Sequence, residues 1–199
     1  MFRFPFTLAF LAIMVTANWL AGTFTGLLPP QALTQWGISH QSILNGEIFR
    51  LVTGTFLSHD FAMFLRQFCF AALVIGAFEW GDRTRRAITV FFTIDIVGTL
   101  LVLFVVLPFF ADMPDYDGRA ALTMHDVGMS AGGFGLIGAL VAKQPKAWLF
   151  LTLTLAAIAA KIGFGFEVIA DTAHILCLLL GFGLQSWLTE WQRMQKPAL

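Results

Sequence analysis

Charge is scarce in this chain. Charged residues fill only 12% of the 199 positions, about half of the roughly 25% usual in soluble domains. A surface so poor in charge excludes an ordinary water-soluble globule, and the 58% of hydrophobic residues, 22 phenylalanines among them, exclude a disordered chain. A surplus of positive charge is also missing. Lys and Arg total 12 against 12 Asp and Glu, so there is no basic face able to hold phosphate against competing salt, and nucleic acid is excluded as a partner. Cysteine is nearly absent. Cys69 and Cys177 both fall in apolar stretches, which excludes a disulfide framework and leaves two buried thiols. The chain has no internal repeat of the kind expected in a small transporter built from inverted halves.

What remains is apolar sequence. The mean hydropathy is +0.79, and six apolar windows cover residues 6–28, 60–79, 87–110, 128–142, 147–166 and 170–188. Most approach the roughly 20 residues a helix needs to cross a hydrocarbon layer of about 30 Å. The pattern predicts an all-α, multi-pass integral membrane protein, with residues 1–199 forming a single six-helix domain in the lipid bilayer. Arg3 followed by an apolar run resembles a signal peptide, but the run is long enough to span and five windows follow, so it is read as a retained first helix. The fourth window is different. Its length gives a helix of only about 22 Å, so one end must stop inside the membrane, enclosed by protein or reached by water.

Orientation follows from lysine and arginine in the short connections. Arg3, then Arg83, Arg85 and Arg86, then Lys143 and Lys146, then Arg193 and Lys196 alternate with connections holding only Arg50, Arg119 and Lys161. Both termini are therefore expected in the cytoplasm. The connection carrying Asp112, Asp115, Asp117 and Asp126 is expected outside.

With that orientation the fourth helix runs inward from "GMSAGGFGLIGAL", which places Ser130 in its first turn, and the sixth runs inward with His174 about one turn along. A serine and a histidine at similar depth are what a nucleophile and its general base require. Small residues favour close approach. Gly128, Gly132, Gly135 and Ala139 recur on one face of the fourth helix, and Ala173, Cys177 and Gly181 recur every fourth residue on the sixth, a spacing that lets membrane helices touch.

These residues resemble the rhomboid family of intramembrane serine proteases, over a stretch from about Glu47 to Gln185. "GMSAGGFGLIGAL" resembles the family's short fourth helix and "IADTAHILCLLLGFGL" its sixth. "EIFRLVTGTFLSHDFAMFLRQF" resembles the run into its second helix, and "GAFEWGDRTRR" the glycine, glutamate and basic turn that follow. The resemblance implies a six-helix rhomboid-like bundle in a membrane such as a bacterial inner membrane. It implies Ser130 as nucleophile and His174 as general base, no cofactor and no metal. The clients implied are transmembrane segments of other proteins, cleaved by acyl transfer. Gln67, Met129 and Met63 fall where the family binds the oxyanion and substrate.

The chain departs from the family at four positions. Met63 replaces a histidine and cannot donate a hydrogen bond, whereas Gln67, in place of asparagine, has two donors. Ala131 replaces the glycine after the serine, and Cys177 stands where glycine is usual. Losing one oxyanion donor costs on the order of 100 to 1,000-fold in rate, so a helix-binding pseudoprotease of the same fold is the alternative. Blander readings stand beside the catalytic one: a packing serine at 130, and a buried histidine at 174 bonded to a carbonyl. "GMSAG" also satisfies a G-x-S-x-G elbow, but no strand precedes it. His174 and Cys177 share a helix face without the further ligands a metal site needs. Arg66 and Asp95, charges within apolar windows, suggest either a bridge between the second and third helices or an ion path. Asp171 is three residues before His174, and the resemblance gives it no catalytic role.

Overall fold

A computed structural model describes residues 4–111 and 118–195. Arg3, Asp112, Asp115, Asp117 and Lys196 of the charge pattern lie outside the described residues, as does the side chain of Arg119. Among the described residues the regular structure is helical, with two isolated antiparallel bridges, Leu27–Asp60 and Ile38–Asp126.

Helix α1 spans Pro5–Ala21 and ends sooner than its apolar window, which continues to residue 28. Gly22 adopts φ 86°, ψ 10° and turns its N–H back onto the Asn18 and Trp19 carbonyls, a left-handed stop that glycine makes without a Cβ penalty. A single 3₁₀ turn, Thr23–Thr25, follows. Short helices α2 (Pro30–Trp36), α3 (His40–Leu44) and α4 (Arg50–Thr53) form the connection to α5, Phe61–Gly81. Asp60 caps α5 by accepting the Met63 N–H at 2.6 Å.

Helix α6 (Thr84–Leu101) widens into a π-helical stretch, Val102–Val106, and continues as α7, Leu107–Ala111. Pro108 has no N–H and its ring crowds the carbonyl one turn back, so an α-helix cannot pass unchanged. The wide turn accommodates it, with the Leu107 N–H reaching Val102 O. Helix α8 (Gly118–Thr123) leads to α9 (Ser130–Ala142), α10 (Ala147–Phe164) and α11 (Val168–Met194).

Among the described residues four helical stretches are long and apolar enough to cross a membrane: Phe61–Gly81, Thr84–Ala111, Ala147–Phe164 and Val168–Met194. Two shorter apolar helices, Pro5–Ala21 and Ser130–Ala142, accompany them. This is consistent with an integral membrane protein.

The shorter helix α9 is the most enclosed, packed between α11 and α6 with α5 alongside. On the α11 side backbone meets backbone. A methyl group on Gly181 would collide with the Gly135 carbonyl oxygen, and one on Gly138 with the Leu178 carbonyl. On the other side Gly132 lies against the Phe91 ring and Gly135 against Ile94, both from α6. The glycine stripe of the fourth window is therefore divided between two partners rather than directed at α11 alone. Cys177 fits because α6 leaves room: its Sγ occupies the space in front of Gly98. Phe10, Met14, Ile75, Phe78 and Phe91 fill the centre between α1, α5 and α6. Helix α10 is peripheral, burying only Leu151 and Ile158.

Two polar anchors hold the two ends of the bundle. Glu79, buried on α5, accepts from the Phe6 N–H at 3.0 Å and from the Thr7 N–H and hydroxyl at 2.9 and 2.8 Å. It thereby caps α1, whose own Phe4 offers no capping side chain. Arg50 donates to the Thr34 and Gly37 carbonyls and pairs with Glu47 at 2.9 Å, pinning the α2–α3 connection over the bundle.

Candidate active site

Ser130 is the first residue of α9, and its position is set by the chain before it. Asp126 exchanges both backbone hydrogen bonds with Ile38 at 2.7 and 2.9 Å, and the Gly128 N–H donates to Gly54 O at 2.9 Å. Gly128 holds φ 138°, a region open to glycine and strained for other residues. A Cβ there would also strike the side chains of Gln67 and Met63. Met129, fully buried, occupies the N-cap position with no capping side chain.

Gln67 and Met63, four residues apart on α5, thus both face the turn that delivers Ser130. The Gln67 Oε1 accepts from Ser58 Oγ at 2.7 Å, which leaves the amide NH₂ directed toward Gly128. Met63 Sδ accepts from the His59 N–H at 3.4 Å, so this side chain is held as an acceptor. Gly128 and Ala131 join Ser130 in lining a partly open cavity of about 40 Å³, together with Arg50, Thr55, Asp95 and Ala173. That is room for one or two water molecules.

His174 reaches a different space. Its ring stacks on Phe134, one turn after Ser130 on α9, with centroids 4.3 Å apart. It lines a side cavity of about 260 Å³ between α9, α10 and α11, with Lys161 and Asp171. No hydrogen bond joins Ser130 to His174 among the described residues, and His174 Nε2 is buried without a partner. An unpaired buried polar atom costs roughly 1–3 kcal/mol, and such atoms call for an explanation of the site that holds them. Asp171 does not orient His174. Its carboxylate accepts from Lys161 Nζ at 2.8 and 3.0 Å and from the Glu167 N–H at 2.8 Å, tying the end of α10 to the start of α11.

The bridge between Arg66 and Asp95 does not form. Arg66 lies exposed on α5 without an ion pair among the described residues, whereas Asp95 is buried and accepts from Thr55 Oγ1 and the Gly132 N–H, both at 2.8 Å. Sequence reasoning singled out Asp95 but not this partner, and it missed Gly138 and Phe134. The signal for Asp95 was a carboxylate in an apolar run, but its partner is a backbone group that no residue type advertises.

Just before α5, His59 Nε2 lies 3.4 Å from Asp126 Oδ1. This bond, helped by the charges of Asp126, Asp60 and Glu167, outweighs burial and raises the imidazole pKa above its usual 6.5. His125 shifts the other way, lowered by burial and by the Arg50 charge. No group of three His, Cys, Asp or Glu side chains is placed to hold a metal ion among the described residues. In the comparisons with known proteins, no family model matches the chain and no curated protein matches it either.

Proposed function

We propose that the chain is a rhomboid-like intramembrane serine protease that cleaves transmembrane segments of client proteins, with both termini in the cytoplasm and the bundle's two shorter apolar helices also within the bilayer. The observation that carries this reading is His174. Its Nε2 is buried and unpartnered, on a helix in backbone contact with α9, one turn of α9 away from Ser130. Catalytic hydrogen bonds are often long or poorly aligned without substrate and tighten when it binds.

In this reaction His174 takes the proton of the Ser130 hydroxyl as Oγ attacks a client peptide carbonyl. The oxyanion that forms is held by the Gln67 amide and by backbone N–H groups at the start of α9, where the helix dipole favours negative charge. The tetrahedral intermediate collapses as His174 returns the proton to the leaving amine. Water, deprotonated by His174, then attacks the acyl-enzyme, and His174 returns that proton to Ser130 Oγ as the new carboxylate is released.

A second reading keeps the fold and removes the turnover, making the chain a pseudoprotease that binds client helices. Met63 favours it. Labelling of the purified protein with a fluorophosphonate probe separates the two. Protease function requires labelling at Ser130 that both Ser130→Ala and His174→Ala abolish, together with cleavage of a model transmembrane substrate. Absence of labelling and cleavage, with capture of transmembrane clients retained, refutes it in favour of the pseudoprotease.

A further inference from the structure

We propose that Asp95 is a positioning residue for Ser130: from α6 it supplies the N-terminal cap that α9 lacks. The inference rests on the protease reading for its catalytic consequence and on geometry alone for the cap.

The first turn of any helix carries N–H groups without intrahelical acceptors, and within a membrane each of them needs a partner from the protein or from a trapped water. Helix α9 begins with Met129 at the N-cap, whose side chain accepts nothing. Asp95 Oδ1 fills that role at Gly132, the third residue of the helix, at 2.8 Å. Its second oxygen is held by the Thr55 hydroxyl at 2.8 Å, so the carboxylate bridges α9 to the turn that follows α4. The short aspartate stem suffices because α6 comes close here: the Phe91 ring of α6 occupies the place of a Gly132 side chain. Asp95 is only 3% exposed and lines the same small cavity as Ser130. The same device appears at the other end of the molecule, where Glu79 caps α1. Holding Gly132 fixes the rotation of the first turn of α9 about its axis, and with it the direction of Ser130 Oγ, two residues earlier. A nucleophile needs that orientation to be set before substrate arrives.

Asparagine preserves the acceptor toward Gly132 and can still bond Thr55, whereas alanine removes both contacts. The test compares parent, Asp95→Asn and Asp95→Ala in the full chain in detergent, by amide hydrogen exchange over residues 128–133 and by the rate of fluorophosphonate labelling at Ser130. Asp95→Ala is expected to speed exchange in that segment about tenfold, as loss of one buried hydrogen bond implies, while α5 exchanges as in the parent. Labelling should slow by about tenfold or more, with kcat for a model substrate falling and KM unchanged. Asp95→Asn should restore both within about threefold. Should Asp95→Ala fail to fold, Asp95→Ser, whose hydroxyl is too short to reach Gly132, takes its place with the same expectation. Unchanged exchange over 128–133, or equal acceleration throughout the molecule, overturns the proposal, as does an Asp95→Asn variant no better than Asp95→Ala. A parent that is not labelled refutes the protease reading instead, and the exchange comparison then decides the cap by itself.

Discussion

Replacing Gly181 with alanine tests the backbone contact between α11 and α9. The added methyl would overlap the Gly135 carbonyl oxygen and press on Gly135 Cα. These are backbone atoms of another helix, so no rotamer change relieves the collision and α9 and α11 must separate. Overpacking of this kind costs about 1–3 kcal/mol, and a backbone collision belongs at the upper end. Alanine recovers about 1 kcal/mol of helix propensity relative to glycine, leaving a net loss of about 2 kcal/mol. For a chain of this size that lowers Tm by about 4–8 °C. Gly183, two residues on, is the control, because a Cβ there meets nothing within 4 Å. Gly183→Ala should therefore raise Tm by a few degrees through propensity alone. Cys69 is exposed, not buried as its apolar stretch suggested; with Cys69 replaced by serine, thermal unfolding in detergent followed by reaction of a thiol-sensitive dye with the buried Cys177 measures both. Equal stability of Gly181→Ala and the parent, or equal loss from both variants, would refute the backbone contact between α9 and α11.

Met63→His introduces a donor on the α5 face that looks at Gly128. If turnover is limited by the oxyanion site, kcat for a model substrate should rise toward, but not reach, the roughly 100 to 1,000-fold associated with one donor, because the Gln67 amide is directed at the same turn; an unchanged kcat would show that Met63 is not the limiting defect. The His59–Asp126 contact predicts a pH effect on stability. The folded pKa of His59 is raised, so the charged form stabilises the fold fully below the unfolded value near 6.5, and that contribution disappears as pH rises through the higher folded value. As both partners are partly exposed, the size is below about 1 kcal/mol. His125, shifted the opposite way, acts alike in both proteins, so the expected result is a Tm that falls more, or rises less, above pH 6.5 in the parent than in His59→Gln, and parallel curves would dismiss the contact.

Much of the helical layout is decided by composition along the chain. Runs of apolar residues as long as Phe61–Gly81 or Val168–Met194 have to be helical in lipid, because only a helix satisfies its own backbone there. The short window around Ser130 follows from residue count, and so does the start of α9 within two residues of Gly128. Local chemistry adds the Asp60 cap of α5 and the Pro108 distortion that follows α6. How each helix turns about its own axis was not legible. Helix α9 is apolar on all sides, so periodicity, which orients a helix by contrasting its faces, had no contrast to act on. Only packing decided that Gly132 and Gly135 look at α6 while Gly138 and Gly181 bring α9 and α11 together, and that Gly98 makes space for Cys177. The same rotation directs Ser130 into one cavity and His174 into another. The remaining step lay in backbone chemistry: Asp95 and Glu79 cap helices distant in sequence, and an N–H group identical in every residue but proline leaves no trace of its partner in the sequence.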